Sequence, residues 1–144
     1  MPISDRSATP WTASSRHQTI AAAPPAWLVC RAIFELVRYD VVHRLFGAEV
    51  RSTRLKSAGV AGADREAAIC EAVELACCFY WKPMLCLPRA VCTMRLLRAH
   101  GIAAHVVIGY RPAPFFSHAW VEVGGRVVND SSSYKRQLRV LRTI

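Results

Sequence analysis

The periodicity of apolar residues changes once in this chain, at Gly101, and that change limits the fold more than any other feature. Before it, apolar residues recur at helical spacing. After it, short β-branched runs alternate or stand together. Three helices are predicted first. Ala26 to Phe46 places Leu28, Ile33, Leu36, Val37, Val41 and Leu45 at helical intervals, and Gly47 ends it. Arg65 to about Phe79 follows, with Asp64 as a plausible N-cap. Leu87 to His100 is the third: Pro88 marks its first turn and Gly101 suits the position just past its C-terminus. Strands are then predicted at Ala103 to Tyr110, Ser117 to Val123 and Arg126 to Asp130. Helices first and antiparallel strands last give an α+β class, with N-terminal helices packed on a small antiparallel sheet.

One thiol stands where that order gives it chemistry. Cys86 sits at the mouth of the third helix, where free backbone N–H groups converge. A cysteine is a nucleophile only as thiolate, and a helix N-terminus and a nearby imidazolium both favour that form. The same N–H groups suit a developing oxyanion. His118 lies on the second predicted strand and Asp130 on the third. A thiol, an imidazole and a carboxylate that orients the imidazole make an acyl-transfer site.

The hairpin register decides whether His118 and Asp130 meet. A two-residue Gly124-Gly125 turn pairs Val123 with Arg126 and sends Asp130 to the other face. A three-residue loop of Val123, Gly124 and Gly125 pairs Glu122 with Arg126 and sets His118 opposite Asp130 and Trp120 opposite Val128. The catalytic reading therefore predicts the three-residue loop, with Gly125 at positive φ.

Composition excludes several classes. With 144 residues, 53% of them hydrophobic, the chain makes one domain with a real core. No uninterrupted apolar run of about 18 residues is present, so no membrane span is predicted. The Ser-, Thr- and Pro-containing start lacks the apolar core of a secretory signal. It reads as a flexible arm over residues 1–25, before a domain at 26–144. Six cysteines at irregular spacing then read as reduced thiols in the cytoplasm. Cys70, Cys77, Cys78 and Cys92 are expected to be buried small hydrophobes. The net charge of +9 is dispersed, and no nucleic-acid-binding motif accompanies it, so no nucleic acid partner is expected. His100 and His105 straddle Gly101 without a further ligand set, so neither a metal nor a cofactor is expected.

Two residues near the thiol keep two roles each. The indole N–H of Trp81 can complete an oxyanion hole, or the ring can simply pack. Arg89 can hold an acidic substrate group or a structural carboxylate.

The motifs CLPRA with LLRAHGI, VVIGYR, HAWVEV and VVND occur in that order over roughly residues 60–131. In this the chain resembles the lasso-peptide leader peptidases, which are transglutaminase-like cysteine peptidases. The resemblance implies a papain/transglutaminase-like core, with the catalytic cysteine, histidine and aspartate on Cys86, His118 and Asp130. It implies hydrolysis of the bond between leader and core of a ribosomally made precursor peptide, through a thioester. An ATP-dependent cyclase then closes the ring. No strand-rich N-terminal part is evident, so the form expected is the stand-alone peptidase, with leader recognition on a separate small protein. Two other functions stay open: a related acyltransferase, in which an amine replaces water, and a non-catalytic peptide-binding module on the same fold.

Overall fold

The computed structural model describes residues 23–46 and 62–144. The expected arm, apart from residues 23–25, lies outside the described residues. The elements run α1 (Ala26–Phe46), α2 (Ala63–Phe79), α3 (Cys86–Ala99), β1 (Ala104–Pro112), β2 (Phe115–Val123), β3 (Arg126–Val127), α4 (Ser133–Gln137) and β4 (Arg139–Thr143). The four strands form one antiparallel sheet in the order β3-β2-β1-β4. Helices α1, α2 and α3 pack on one another, and α3 packs on β1 and β2. The architecture is the α+β arrangement expected.

Alternation along the strands divides the core in two. Val106, Ala119 and Val121 face the helices, where they meet Leu36, Ile69, Val73, Met94 and Leu97. Val107 and Trp120 face the other way and pack with Leu138 and, at the margin, Tyr134. Trp120 explains Gly109: a Cβ there would lie 2.6 Å from the indole and 2.9 Å from Cβ of Leu138. The indole N–H of Trp120 donates to Glu122 at 2.9 Å, so the buried ring keeps its polar partner.

The ends of α3 are fixed by backbone chemistry. Pro88 is its third residue, where the missing N–H has no acceptor within the helix. At the other end Gly101 takes φ 81°. The N–H of Ile102 bonds the carbonyl of Leu97 at 2.9 Å, and that of Gly101 bonds Arg98 at 3.0 Å, a Schellman closure.

Several sequence expectations need correction. The α2 N-cap is Gly62, not Asp64, because Ala63 is already helical; Asp64 and Glu66 instead favour the positive end of the helix from its first turn. On α1 the buried stripe is Leu28, Ala32, Leu36 and Tyr39, while Val37, Val41 and Leu45 are exposed. Cys78 is exposed, and Cys70 and Cys77 are half-buried. Elements α4 and β4 were not anticipated: β4 pairs with β1 and closes the far edge of the sheet.

The hairpin is the main correction. Val123 pairs with Arg126 and Glu122 with Val127, so the turn is the two-residue form. Gly124 and Gly125 both have positive φ, 55° and 77°. Two such glycines fit the hairpin turn whose twist matches the flanking strands, and that fit outweighs the extra residue of the longer loop. Val121, not Trp120, therefore lies against Val128, whose N–H donates to its carbonyl at 3.1 Å. Glu122 pairs with Lys135 at 3.1 Å, and Arg126 makes a two-pronged contact with Glu66 at 2.9 and 3.0 Å.

Candidate active site

Cys86 is the first residue of α3 and is half-buried. The residue before it, Leu85, makes no side-chain cap, so no side chain from that position occupies the N–H groups of the first turn. Cys86 also lines a cavity of about 580 Å³, bounded on one side by α1 and on the other by residues 82–88.

His118 and Asp130 meet, although not through the expected register. Nε2 of His118 lies 2.8 Å from Oδ2 of Asp130. In an extended two-residue hairpin these side chains would sit on opposite faces. The ladder stops before that matters. After Val127 the chain leaves the strand, and the side chain of Asn129 takes the N–H of Val121 at 2.7 Å in place of a backbone carbonyl. That break lets Asp130 turn under β2 and reach the imidazole. Its other oxygen accepts the N–H of Ser131 at 2.8 Å.

The same Oδ2 accepts a second bond. Nη2 of Arg89, from the first turn of α3, lies 2.6 Å away. Arg89 also meets Glu74 of α2 at 3.2 Å. Both contacts of Arg89 are therefore to carboxylates of the protein itself. Its buried Nε has no hydrogen-bond partner among the described residues, so it is held through its terminal nitrogens. Arg89 thus ties the helix of Cys86 to the carboxylate on His118. No hydrogen bond joins Cys86 to His118 among the described residues.

Aromatic rings fix the imidazole further. Tyr134 of α4 lies 4.2 Å from His118, centroid to centroid, and Phe116 stacks at 6.1 Å. Tyr134, Asn129 and Glu74 were missed from sequence. The only cue to any of them was the Asn of VVND, which is as common in a turn as in a strand-ending bond.

Trp81 is 73% exposed, with the Lys82 ammonium 5.4 Å and the Arg44 guanidinium 5.9 Å from its ring centroid. The ring packs at the surface, against these cations and Tyr80, and not in the core. The remaining thiols divide by burial. Burial pushes Cys70 up to about 12 and Cys77 to about 11, and it raises the buried Cys92 as well. Cys30 and Cys78 are exposed. His100 Nδ1 donates to the carbonyl of Leu96 at 2.8 Å, and His105 lies 3.5 Å from Arg98. Among the described residues no cluster of three or more His, Cys, Asp or Glu is placed to hold a metal ion. No helix among them is long and apolar enough to cross a membrane.

Comparison with known proteins follows this geometry. The sequence model of the transglutaminase-like superfamily matches residues 26–143. The microcin J25-processing protein McjB of Escherichia coli is 46% identical over 59 residues, which is 41% of this chain. The match spans 28% of that relative's length. No solved structure matches the chain.

Proposed function

The chain belongs to the transglutaminase-like superfamily, and on that premise we propose that it is a cysteine endopeptidase that removes the leader from a lasso-peptide precursor. The observation that carries this reading is the Asp130 carboxylate on Nε2 of His118 at 2.8 Å. With the proton on Nε2 held by Asp130, Nδ1 is left as the basic nitrogen to take the proton of a thiol. The similarity to a protein that processes microcin J25 supports a precursor peptide as substrate.

The chemistry then runs in two halves. Cys86 transfers its proton to His118, and the thiolate attacks the carbonyl carbon of the scissile bond. The oxyanion that forms is stabilised by N–H groups at the start of α3. The C–N bond breaks, the imidazolium protonates the departing amine of the core peptide, and the leader remains as a thioester. Water attacks that thioester while His118 takes its proton. The leader leaves as a carboxylic acid, and the proton returns to the thiol. Asp130 keeps the imidazole in one orientation throughout and stabilises its cationic form. No cofactor or metal enters this scheme.

A flexible leader is entropically costly to order, so a separate leader-recognition protein serves the peptidase by raising the local concentration of the scissile bond. The released core is then the substrate of an ATP-dependent cyclase. The six free thiols support a reducing, cytoplasmic setting. Residues 26–144 act as one peptidase domain in this proposal.

Incubation of the protein with precursor, with and without the leader-recognition protein, tests this by mass spectrometry. Two fragments whose masses sum to precursor plus one water are expected, with faster release when the partner is present. An amine adduct of the leader would show the acyltransferase instead, and no product in either arm would favour a peptide-binding module.

A further inference from the structure

We infer that the cavity beside Cys86 is a specificity pocket for an apolar side chain on the acyl side of the scissile bond, within the last two residues of the leader. This rests on the peptidase reading above and adds what that reading leaves open, namely which side chain is selected and from which direction the peptide enters.

The cavity, about 580 Å³, lies in the size range of pockets that enclose small ligands. Cys86 is one of the residues that line it, so a peptide whose carbonyl reaches the thiol runs beside the cavity. Tyr39, Met84, Leu85 and Leu87 give it apolar surface. The charged groups lining it are already matched. Lys82 bonds Asp40, and Arg44 holds the second oxygen of Asp40 at 3.3 Å. His43, the remaining titratable group there besides Cys86 and Tyr39, has its ring 5.7 Å from that of Tyr39. A charged substrate side chain would lose hydration and would have to compete with these existing pairs, whereas an apolar one loses only unfavourable contact with water.

Chemistry sets the direction. The imidazolium must protonate the leaving amine, so the amine side of the substrate lies toward His118. His118 is not part of the cavity wall; it sits on β2 with Asp130 and Tyr134. The acyl side therefore runs from Cys86 away from His118 and over the cavity.

Irreversible probes test this without knowledge of the precursor. Acetyl-X-Gly and acetyl-Gly-X chloromethyl ketones, with X as Leu, Phe, Asp or Lys, are attacked by the thiolate. A C–S bond forms, the C–Cl bond breaks and chloride leaves. Their side chains can occupy only the acyl side. Labelling of Cys86, followed by peptide mass mapping, should be roughly tenfold to a hundredfold faster for Leu or Phe than for Asp or Lys in one of the two series. Leu85 is 72% exposed, so Leu85→Gln alters the cavity wall with little risk to the fold; it should cut that preference by about threefold or more. Equal rates for all four residues in both series, a preference for Asp or Lys, or no labelling while iodoacetamide still alkylates Cys86 would overturn the pocket. Failure of iodoacetamide to modify Cys86 in the folded protein would count instead against the nucleophile, which keeps the two readings separable.

Discussion

Replacing Arg89 by methionine removes the guanidinium and keeps most of the stem. The lost contact is the 2.6 Å bond from Nη2 to Oδ2 of Asp130, between side chains 23% and 16% exposed. A hydrogen bond to a charged group contributes about 1.5–3 kcal/mol when buried, and partial exposure screens this pair, so about 1–2 kcal/mol is expected. The bond to Glu74 adds little, because that carboxylate is 48% exposed. Asp130 keeps the N–H of Ser131 and His118 but loses its tie to α3. If the whole effect falls on the orientation of His118, kcat/KM drops by roughly 5- to 30-fold. Arg89→Lys should recover part of the loss, since one donor replaces a planar fork. A double-mutant cycle with Asp130→Ala isolates the pair: it should show a coupling of about 1–2 kcal/mol in the activation free energy. Additive effects of the two substitutions, or an unchanged kcat/KM in Arg89→Met, would refute the reasoning.

Gly109→Ala should destabilise the fold by about 1–3 kcal/mol in urea denaturation, because the new methyl meets the Trp120 ring at 2.6 Å; an unchanged midpoint would contradict that packing. Gly124→Val and Gly125→Val should be destabilising by similar amounts, about 1–2 kcal/mol each. Both residues have positive φ and neither has a neighbour within 4 Å of a built Cβ, so the strain is in the backbone alone. A tolerated Gly124→Val would revive the longer loop. Iodoacetamide at neutral pH should modify Cys86 while sparing Cys70, Cys77 and Cys92. Burial raises those three, so Cys77 forms thiolate only toward pH 11 and Cys70 toward pH 12. Labelling of Cys70 as fast as Cys86 would remove the distinction.

The parts of this fold that were legible in the sequence are those where one residue type does one local job. Pro88 and Gly101 marked the two ends of α3, because proline lacks a donor and glycine accepts φ 81°. The contact of His118 with Asp130 was anticipated, but for a register the molecule does not use. Sequence pattern describes a continuous ladder, and the break at Asn129 is made by a side-chain hydrogen bond that no periodicity encodes. Strand β4 carries no apolar alternation because it is exposed along its length; it is held to the sheet through backbone pairing with β1. The partner of Arg89 was equally hidden, since it depends on where α3 meets the turn after β3, a tertiary fact. Exposure of Val37 and Val41 on α1 has a similar cause: the helix carries apolar residues on several sides, so its period alone cannot say which side is buried.

Every step proposed for this site depends on Cys86 as the nucleophile. The most direct test of that role is a mass-spectrometric time course of precursor cleavage, in the presence of the leader-recognition protein, by the native chain and by Cys86→Ala. Two fragments are expected from the native protein, none from Cys86→Ala, and the same thermal unfolding midpoint for both within a few degrees, since the substitution is small and sits at the rim of the site. Cleavage at an undiminished rate by a folded Cys86→Ala protein would contradict that role.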